Sequence, residues 1–364
     1  MKVYFFVFVL AFLAQFIHVR NSKQYWWRTV CSFIPLFLFL ALREDYGVDE
    51  AAYHAFFDGV HVSSNIFTVN EHMEPGYAIL NKIMPTYQYL IAFCSFITCW
   101  AYSYLIYRFV PQNYSWLAII LIFMTPSQTV FFMISGMRNG LAASLLILGT
   151  YFLERKQLLP YAVMAALAMS IHTSALVMFV LCYFIGGNSL LTKRGLIAWT
   201  VVLLFAATAS LSSLTDQVIP IIEFATGRYV EQVEELSAIA DKRGFLGSLV
   251  GLIFAAGIFY DQFAVAHKRT LKYPPQEIET LYKYKLGLIY AASFTLGILG
   301  GRSGQYMIYF FIVTVTCIFA YTKNQIFKYG YLLLVTYFFW TLFEIWMSNP
   351  LFKYSIYTSI IGDF

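Results

Sequence analysis

Apolar runs recur along this chain from one end to the other, at about 3–19, 28–42, 87–107, 115–135, 138–153, 159–185, 195–212, 245–265, 284–301, 303–321 and 328–347. A helix of about 20 apolar residues matches the ~30 Å hydrocarbon core of a bilayer. Inside lipid each backbone N–H and C=O must find its partner within the protein, which a helix does within its own segment. A barrel strand would instead alternate over about 10 residues, so these continuous runs exclude that architecture. Composition agrees, because 60% of the 364 residues are apolar and only 12% are charged, against about 25% charged in an average soluble domain. The sequence therefore predicts an all-α, polytopic integral membrane protein, one transmembrane domain over 1–364 with about 11–12 membrane segments. The first run is followed by Arg20, Asn21 and Ser22 with no small-residue cleavage pattern, and reads as the first membrane helix.

The run at 159–185 fixes the parity. It is long for one span and carries His172, Thr173 and Ser174 at its middle, where a helix hairpin or re-entrant pair can turn. With that turn, most of the 24 Lys and Arg fall in short loops on one side, among them Arg20, Arg108, Arg155, Lys193, Lys268 and Lys328. A single crossing would move the basic loop at 266–285 to the other side and destroy the asymmetry that marks a cytoplasmic face. Two long segments, 43–86 and 213–244, then face outward. The second carries an apolar stripe at Val218, Ile222, Ala225, Tyr229, Val233, Leu236 and Ala240, suited to a helix lying on the outer surface.

Several familiar chemistries lack their residues. There is no phosphate-binding glycine loop, no nucleophile elbow, no zinc-protease helix motif and no Asp-x-Asp pair. The five cysteines all lie in apolar runs without metal-ligand spacing and read as packing residues. The dispersed inner basic residues make no nucleic-acid platform. No cofactor, metal site or nucleotide requirement is expected.

The ionisable residues near the outer membrane edge are the informative ones. Arg43 ends an apolar run, Arg138 lies between apolar stretches, and Arg302 interrupts two runs within Gly-Gly-Arg-Ser-Gly. A cation at membrane depth costs roughly 2.5 to 3.5 kcal/mol. Snorkelling of single arginines to the headgroups is the simplest explanation of each. A group of three at one edge instead suits a phosphate or diphosphate, which guanidinium forks bind bidentately. His172 is the one histidine in the middle of an apolar run; it is either a packed core residue or, at a hairpin apex, a proton acceptor or phosphate contact. Asp45, beside Arg43, is a second candidate base. Asp49 and Tyr53, four apart, share a face if they lie on a helix, with Asp49 equally readable as its first-turn acid. In Glu74-Pro75-Gly76-Tyr77, Pro75 suits the first turn of a helix and Glu74 its cap region.

These elements, taken in order, resemble those of the EpsG/Wzy-type family of bacterial polysaccharide polymerases. The family pattern Arg-x-Asp-x-Gly-x-Asp-x-x-x-Tyr is matched by Arg43, Asp45, Gly47, Asp49 and Tyr53, and its Glu-Pro-Gly-Tyr by Glu74 to Tyr77. Met137-Arg138-Asn139-Gly140-Leu141-Ala142 is similar to a helix start that usually carries Gln where this chain has Asn139. His172, Ser174, Ala175 and Leu176 match a His-x-Ser-Ala-Leu element, and Arg302, Tyr306, Tyr309 and Phe310 an Arg followed by Tyr-x-x-Tyr/Phe.

The resemblance implies a C-type glycosyltransferase bundle in the bacterial inner membrane. Such an enzyme joins oligosaccharide repeat units carried on undecaprenyl diphosphate at the periplasmic face, building O-antigen of lipopolysaccharide, capsule or exopolysaccharide for the cell envelope. Its donor and acceptor are both lipid-linked glycans, and a flippase and a chain-length regulator are its expected partners. On this reading Arg138 and Arg302, with Arg43 as a further candidate, neutralise the departing diphosphate. Asp45 or His172 takes the proton of the acceptor hydroxyl, with His172 favoured by its costly position. Arg43, Asp49, Tyr53, Glu74, Tyr77 and Tyr306 line the substrate. The alternatives are an O-antigen ligase, which uses the same class of donor, and a transporter that flips the lipid-linked unit. A membrane acyltransferase would favour a cytoplasmic donor, whereas these residues face outward.

Overall fold

The computed structural model describes residues 2–44, 47, 49–70, 73–125, 134, 136–187, 253–258 and 306–348. Every regular element among them is helical. The chain divides into two compact units, one of Met1–Tyr183 with Leu332–Phe364, the other of Phe184–Tyr331. The expected outer segment 213–244 and the apolar runs at 195–212 and 284–301 lie outside the described residues.

The first unit is built on α2 (Ser22–Ala41) and α5 (Tyr87–Phe109). Each begins where a side chain satisfies a free backbone donor. Asn21 accepts from the Gln24 N–H at 2.9 Å and Thr86 from the Tyr89 N–H at 3.3 Å. The two helices run antiparallel. Tyr25, near the start of α2, donates to the Val110 carbonyl at 2.8 Å just past the end of α5, while Gln88 at the start of α5 donates to the Ala41 carbonyl at the end of α2. Trp26 meets Trp100 edge to face at 4.9 Å between centroids, and Phe33 meets Tyr102 at 5.7 Å. Among the described residues α5 alone is long and apolar enough to cross a membrane by length and composition.

The first apolar run takes a shorter α-helix than the sequence suggests, and the fourth is interrupted. Within the run expected at 115–135, α6 covers Ser115–Phe123 and Ile134 is helical again, with 126–133 outside the described residues; α1 covers Lys2–Leu13. Thr125 precedes Pro126, a position that disfavours helical backbone, and this accounts for the early stop. α1 and α6 are antiparallel as well, since Tyr4 donates to the Phe123 carbonyl at 2.9 Å and Ser115 donates to Gln15 Oε1 at 2.6 Å.

α7 (Met137–Glu154) runs parallel to α5, with Met137 in one apolar cluster with Tyr87 and Leu90, and Glu154 paired to Arg108 at 3.4 Å. Lys156, at φ 58°, makes the left-handed reversal into α8 (Leu158–Ile171). His172, Thr173 and Ser174 then separate α8 from α9 (Ala175–Gly187). The long run at 159–185 is therefore two helices, tied together where Tyr161 donates to the Phe179 carbonyl at 2.7 Å.

Two short helices lie within the segment 43–86, α3 (Glu50–Val62) and α4 (Pro75–Ile83). Their apolar faces join Tyr53, Phe56, Phe57, Val60 and Tyr77 to Leu90, Ile91, Cys94, Met137 and Leu141. This cluster seats both helices on the first turns of α5 and α7. The end of α2, the starts of α5 and α7 and the turn between α8 and α9 thereby meet at one end of the first unit. The remaining described helices are α10 (Ile308–Tyr321) and α11 (Gln325–Ser348). In the second unit, Tyr331 donates to the Phe254 carbonyl at 3.0 Å.

Candidate active site

The Glu-Pro-Gly-Tyr element organises this end of the molecule, and each of its four residues has a separate physical task. Pro75 starts α4, where its fixed φ suits the helix and its missing N–H is no loss. Glu74 occupies the N-cap with extended backbone, yet its side chain makes no capping bond. Its carboxylate points instead at two other elements. Gly76 permits the approach that makes this reach: a Cβ there would overlap the Ser170 side chain and lie 2.7 Å from the Ser170 carbonyl oxygen. Tyr77 is wholly buried, stacked on Phe56 at 5.9 Å and edge-on to Tyr53 at 5.9 Å.

Glu74 Oε1 accepts from His172 Nδ1 at 2.8 Å and from the Thr173 backbone N–H at 3.1 Å. Its Oε2 accepts from Arg138 Nη1 at 2.5 Å. One carboxylate thus joins the start of α4, the start of α7 and the turn after α8. The side chains of Glu74 and His172 retain 9% and 6% of their exposure, and Arg138 retains 17%. Burial pushes the Glu74 carboxyl up, but the His172 hydrogen bond, the Arg138 charge and the Thr173 amide together outweigh it and hold it at about 2. Glu74 is therefore an anion at neutral pH. The Arg138 guanidinium also lies over two aromatic rings, 5.9 Å from Tyr53 and 5.8 Å from Tyr77.

Arg43 occupies a different setting. Its guanidinium donates to Glu50 Oε2 at 3.4 Å, to the Leu40 carbonyl at 3.0 Å and to the Ile134 carbonyl at 3.4 Å. Side-chain exposure is 1% for Arg43 and 3% for Glu50. It binds the end of α2 to α3 and to the approach to α7, where the sequence reading has it facing a diphosphate. Asp49 is exposed at the N-cap of α3, again without a side-chain cap, and its carbonyl accepts the Tyr53 N–H at 3.0 Å. Tyr306 is buried in the second unit just ahead of α10. Asp45 and Arg302 lie outside the described residues.

The structure thus brings Tyr53, Glu74, Tyr77, Arg138 and His172 together within one unit. Sequence reading picks out all five but assigns Glu74 to substrate and misses its two partners. It also misses Glu50 as the partner of Arg43, although the two are seven residues apart in one segment. Thr173 and Ser170 carry no signal of their own, since one contributes a backbone amide and the other sets a packing distance.

Chemically, the cluster offers an imidazole held at one nitrogen and an arginine at the rim, backed by two buried tyrosine rings. Such a set can accept a proton and stabilise an anionic leaving group. No curated protein and no solved structure matches the chain. A family model, EpsG family, matches residues 25–359. That match runs through the Glu74 cluster and nearly the whole sequence, and the chain belongs to the EpsG family, the family of Wzy-type exopolysaccharide polymerases.

Proposed function

We propose that this chain is a polytopic glycosyltransferase of the bacterial inner membrane that joins undecaprenyl-diphosphate-linked oligosaccharide repeat units at the periplasmic face. One observation carries this reading: a single carboxylate, Glu74, holds both a histidine and an arginine at the same end of the first unit. A polymerase with a lipid-diphosphate donor needs that combination. The acceptor hydroxyl must lose a proton as it attacks C1 of the donor sugar, and the diphosphate must leave with the bonding electrons.

In this reading His172 takes the proton and Arg138 faces the developing charge on the diphosphate. Arginine suits the second task because its charge is permanent and its fork matches phosphate oxygens. Tyr53 and Tyr77 are buried beneath the Arg138 guanidinium and back it from the protein side, and the exposed Asp49 offers a carboxylate to sugar hydroxyls. Arg43, sealed against Glu50, supports this set by fixing α3 and the approach to α7. A flippase that delivers the donor and a chain-length regulator complete the proposed system.

The test uses purified protein in detergent with its undecaprenyl-diphosphate repeat unit, no nucleotide, and EDTA present. Products from the wild type and from Arg138→Ala are resolved by length on a gel. A ladder of longer glycans from the wild type alone is the expected result. A wild type that binds the lipid-linked unit or moves it across liposomes without extending it overturns the polymerase assignment.

A further inference from the structure

The pairing at Glu74 fixes more than a position. The nearest partners of its carboxylate, Arg138 Nη1, His172 Nδ1 and the Thr173 backbone N–H, stand at 2.5, 2.8 and 3.1 Å. The guanidinium and the amide are obligate donors, so the carboxylate meets them as an acceptor through both oxygens. Nδ1 sits on the same Oε1 that the Thr173 amide uses, and there it must carry the proton. In the neutral ring the lone pair is then on Nε2. Among the described residues Nε2 has no hydrogen-bond partner. The turn is also built to keep the ring in place. The His172 N–H donates to the Ala168 carbonyl at 2.8 Å as the last bond of α8, and the His172 carbonyl accepts from Ala175 N–H at 3.0 Å as α9 begins.

From this geometry we propose that Glu74 is a positioning residue that acts through His172, holding its ring in the tautomer whose Nε2 takes the acceptor proton. The inference rests on the polymerase reading for the identity of the acceptor. The acceptor oxygen forms a bond to C1 of the donor sugar, and the bond from C1 to the diphosphate oxygen breaks with its electron pair going to that oxygen. The hydroxyl proton passes to Nε2. The imidazolium so formed keeps its Nδ1–H on the Glu74 carboxylate, which stabilises the new charge, while Arg138 faces the diphosphate. Glu74 touches neither sugar in this scheme, and its other oxygen keeps Arg138 at the correct edge of the site.

Two measurements on the full-length protein in detergent test the inference. The first is ¹⁵N NMR of histidine-labelled protein in the neutral ring form, with the His172 signals identified by their loss in His172→Gln. Wild type should show the proton on Nδ1, and Glu74→Gln should lose that preference, because an amide can present its NH₂ group to the ring. A wild-type His172 protonated on Nε2 overturns the proposal, and this spectrum decides it even if Glu74→Gln fails to fold. The second is a double-mutant cycle on the elongation rate. Glu74→Gln alone should lower kcat by about 100-fold or more, the range of a lost general base. In the His172→Gln background it should lower kcat by less than about 3-fold, because residues acting as a unit are not additive. Independent, multiplying losses in the two backgrounds overturn it. If wild type elongates nothing, the polymerase reading fails, while the tautomer measurement still decides whether Glu74 sets the His172 ring.

Discussion

Two arginine–glutamate pairs lie at the same end of the first unit and have opposite characters. Arg43 and Glu50 are sealed, at 1% and 3% side-chain exposure, and 3.4 Å apart. Arg138 and Glu74 are closer, at 2.5 Å, yet the arginine keeps 17% of its surface. The sealed arginine directs its remaining donors at the backbone carbonyls of Leu40 and Ile134, which makes it a clamp between helices. The rim arginine shares its carboxylate with a histidine and lies against aromatic faces. Both arginines lie at the edge of an apolar run, and burial is what distinguishes them.

The largest effect should come from unbalancing the sealed pair. Arg43→Ala leaves a buried carboxylate uncompensated and should destabilise the protein by about 3–5 kcal/mol, read as a fall in Tm in detergent. The double change Arg43→Met with Glu50→Leu should recover most of that stability. If Tm returns and elongation does not, Arg43 contacts substrate and the contrast between the pairs collapses. Arg138→Ala should show the reverse balance, a 10²–10³-fold loss of elongation, or about 2.7–4 kcal/mol in the barrier, with a smaller change in Tm. Arg138→Lys, which keeps charge but loses the fork, should fall between.

Gly76→Ala sharpens the comparison, since it forces α4 away from Ser170 and moves Glu74 without touching Arg43. Overpacking of this kind costs about 1–3 kcal/mol, and elongation should drop further than that stability loss explains. The smallest expected effect is an acid dependence confined to the rim pair. Glu74 titrates near 2 in the folded protein against an ordinary 4.5. Its ionisation therefore stabilises the fold fully above pH 4.5, and that contribution is lost as pH falls toward 2. The Tm gap between wild type and Glu74→Gln should narrow across that window, and a gap that stays constant would remove the charge from the account.

Much of this organisation is legible in the sequence because it depends on local rules. Among the described residues the apolar runs locate most of the helices, Pro75 marks the first turn of α4, and His172 to Ser174 mark the break in a run too long for one span. Lengths are less legible. α6 ends at Phe123 inside the apolar run 115–135, where Pro126 disfavours helical backbone in the residue before it, and Ile134 of the same run is helical again. Pairing is the least legible feature. Nothing local distinguishes Glu50, which neutralises Arg43, from Glu44, which is exposed on the other flank of the same segment. Likewise the partners of Glu74 lie 64 and 98 positions away. They become neighbours only through the parallel course of α5 and α7 and the return of α8.

The glycine at position 76 also bears on how such a site can diversify. Lys82 Nζ donates to the Val60 carbonyl at 3.0 Å and the His61 carbonyl at 3.3 Å, so α3 and α4 are bridged independently of the stretch connecting them. With Gly76 seated on Ser170, the register of Glu74 is set from below that stretch as well. The described residues 63–70 thus run between helices that are anchored by contacts of their own. Changes of length or sequence there should leave the Glu74 carboxylate with its two partners.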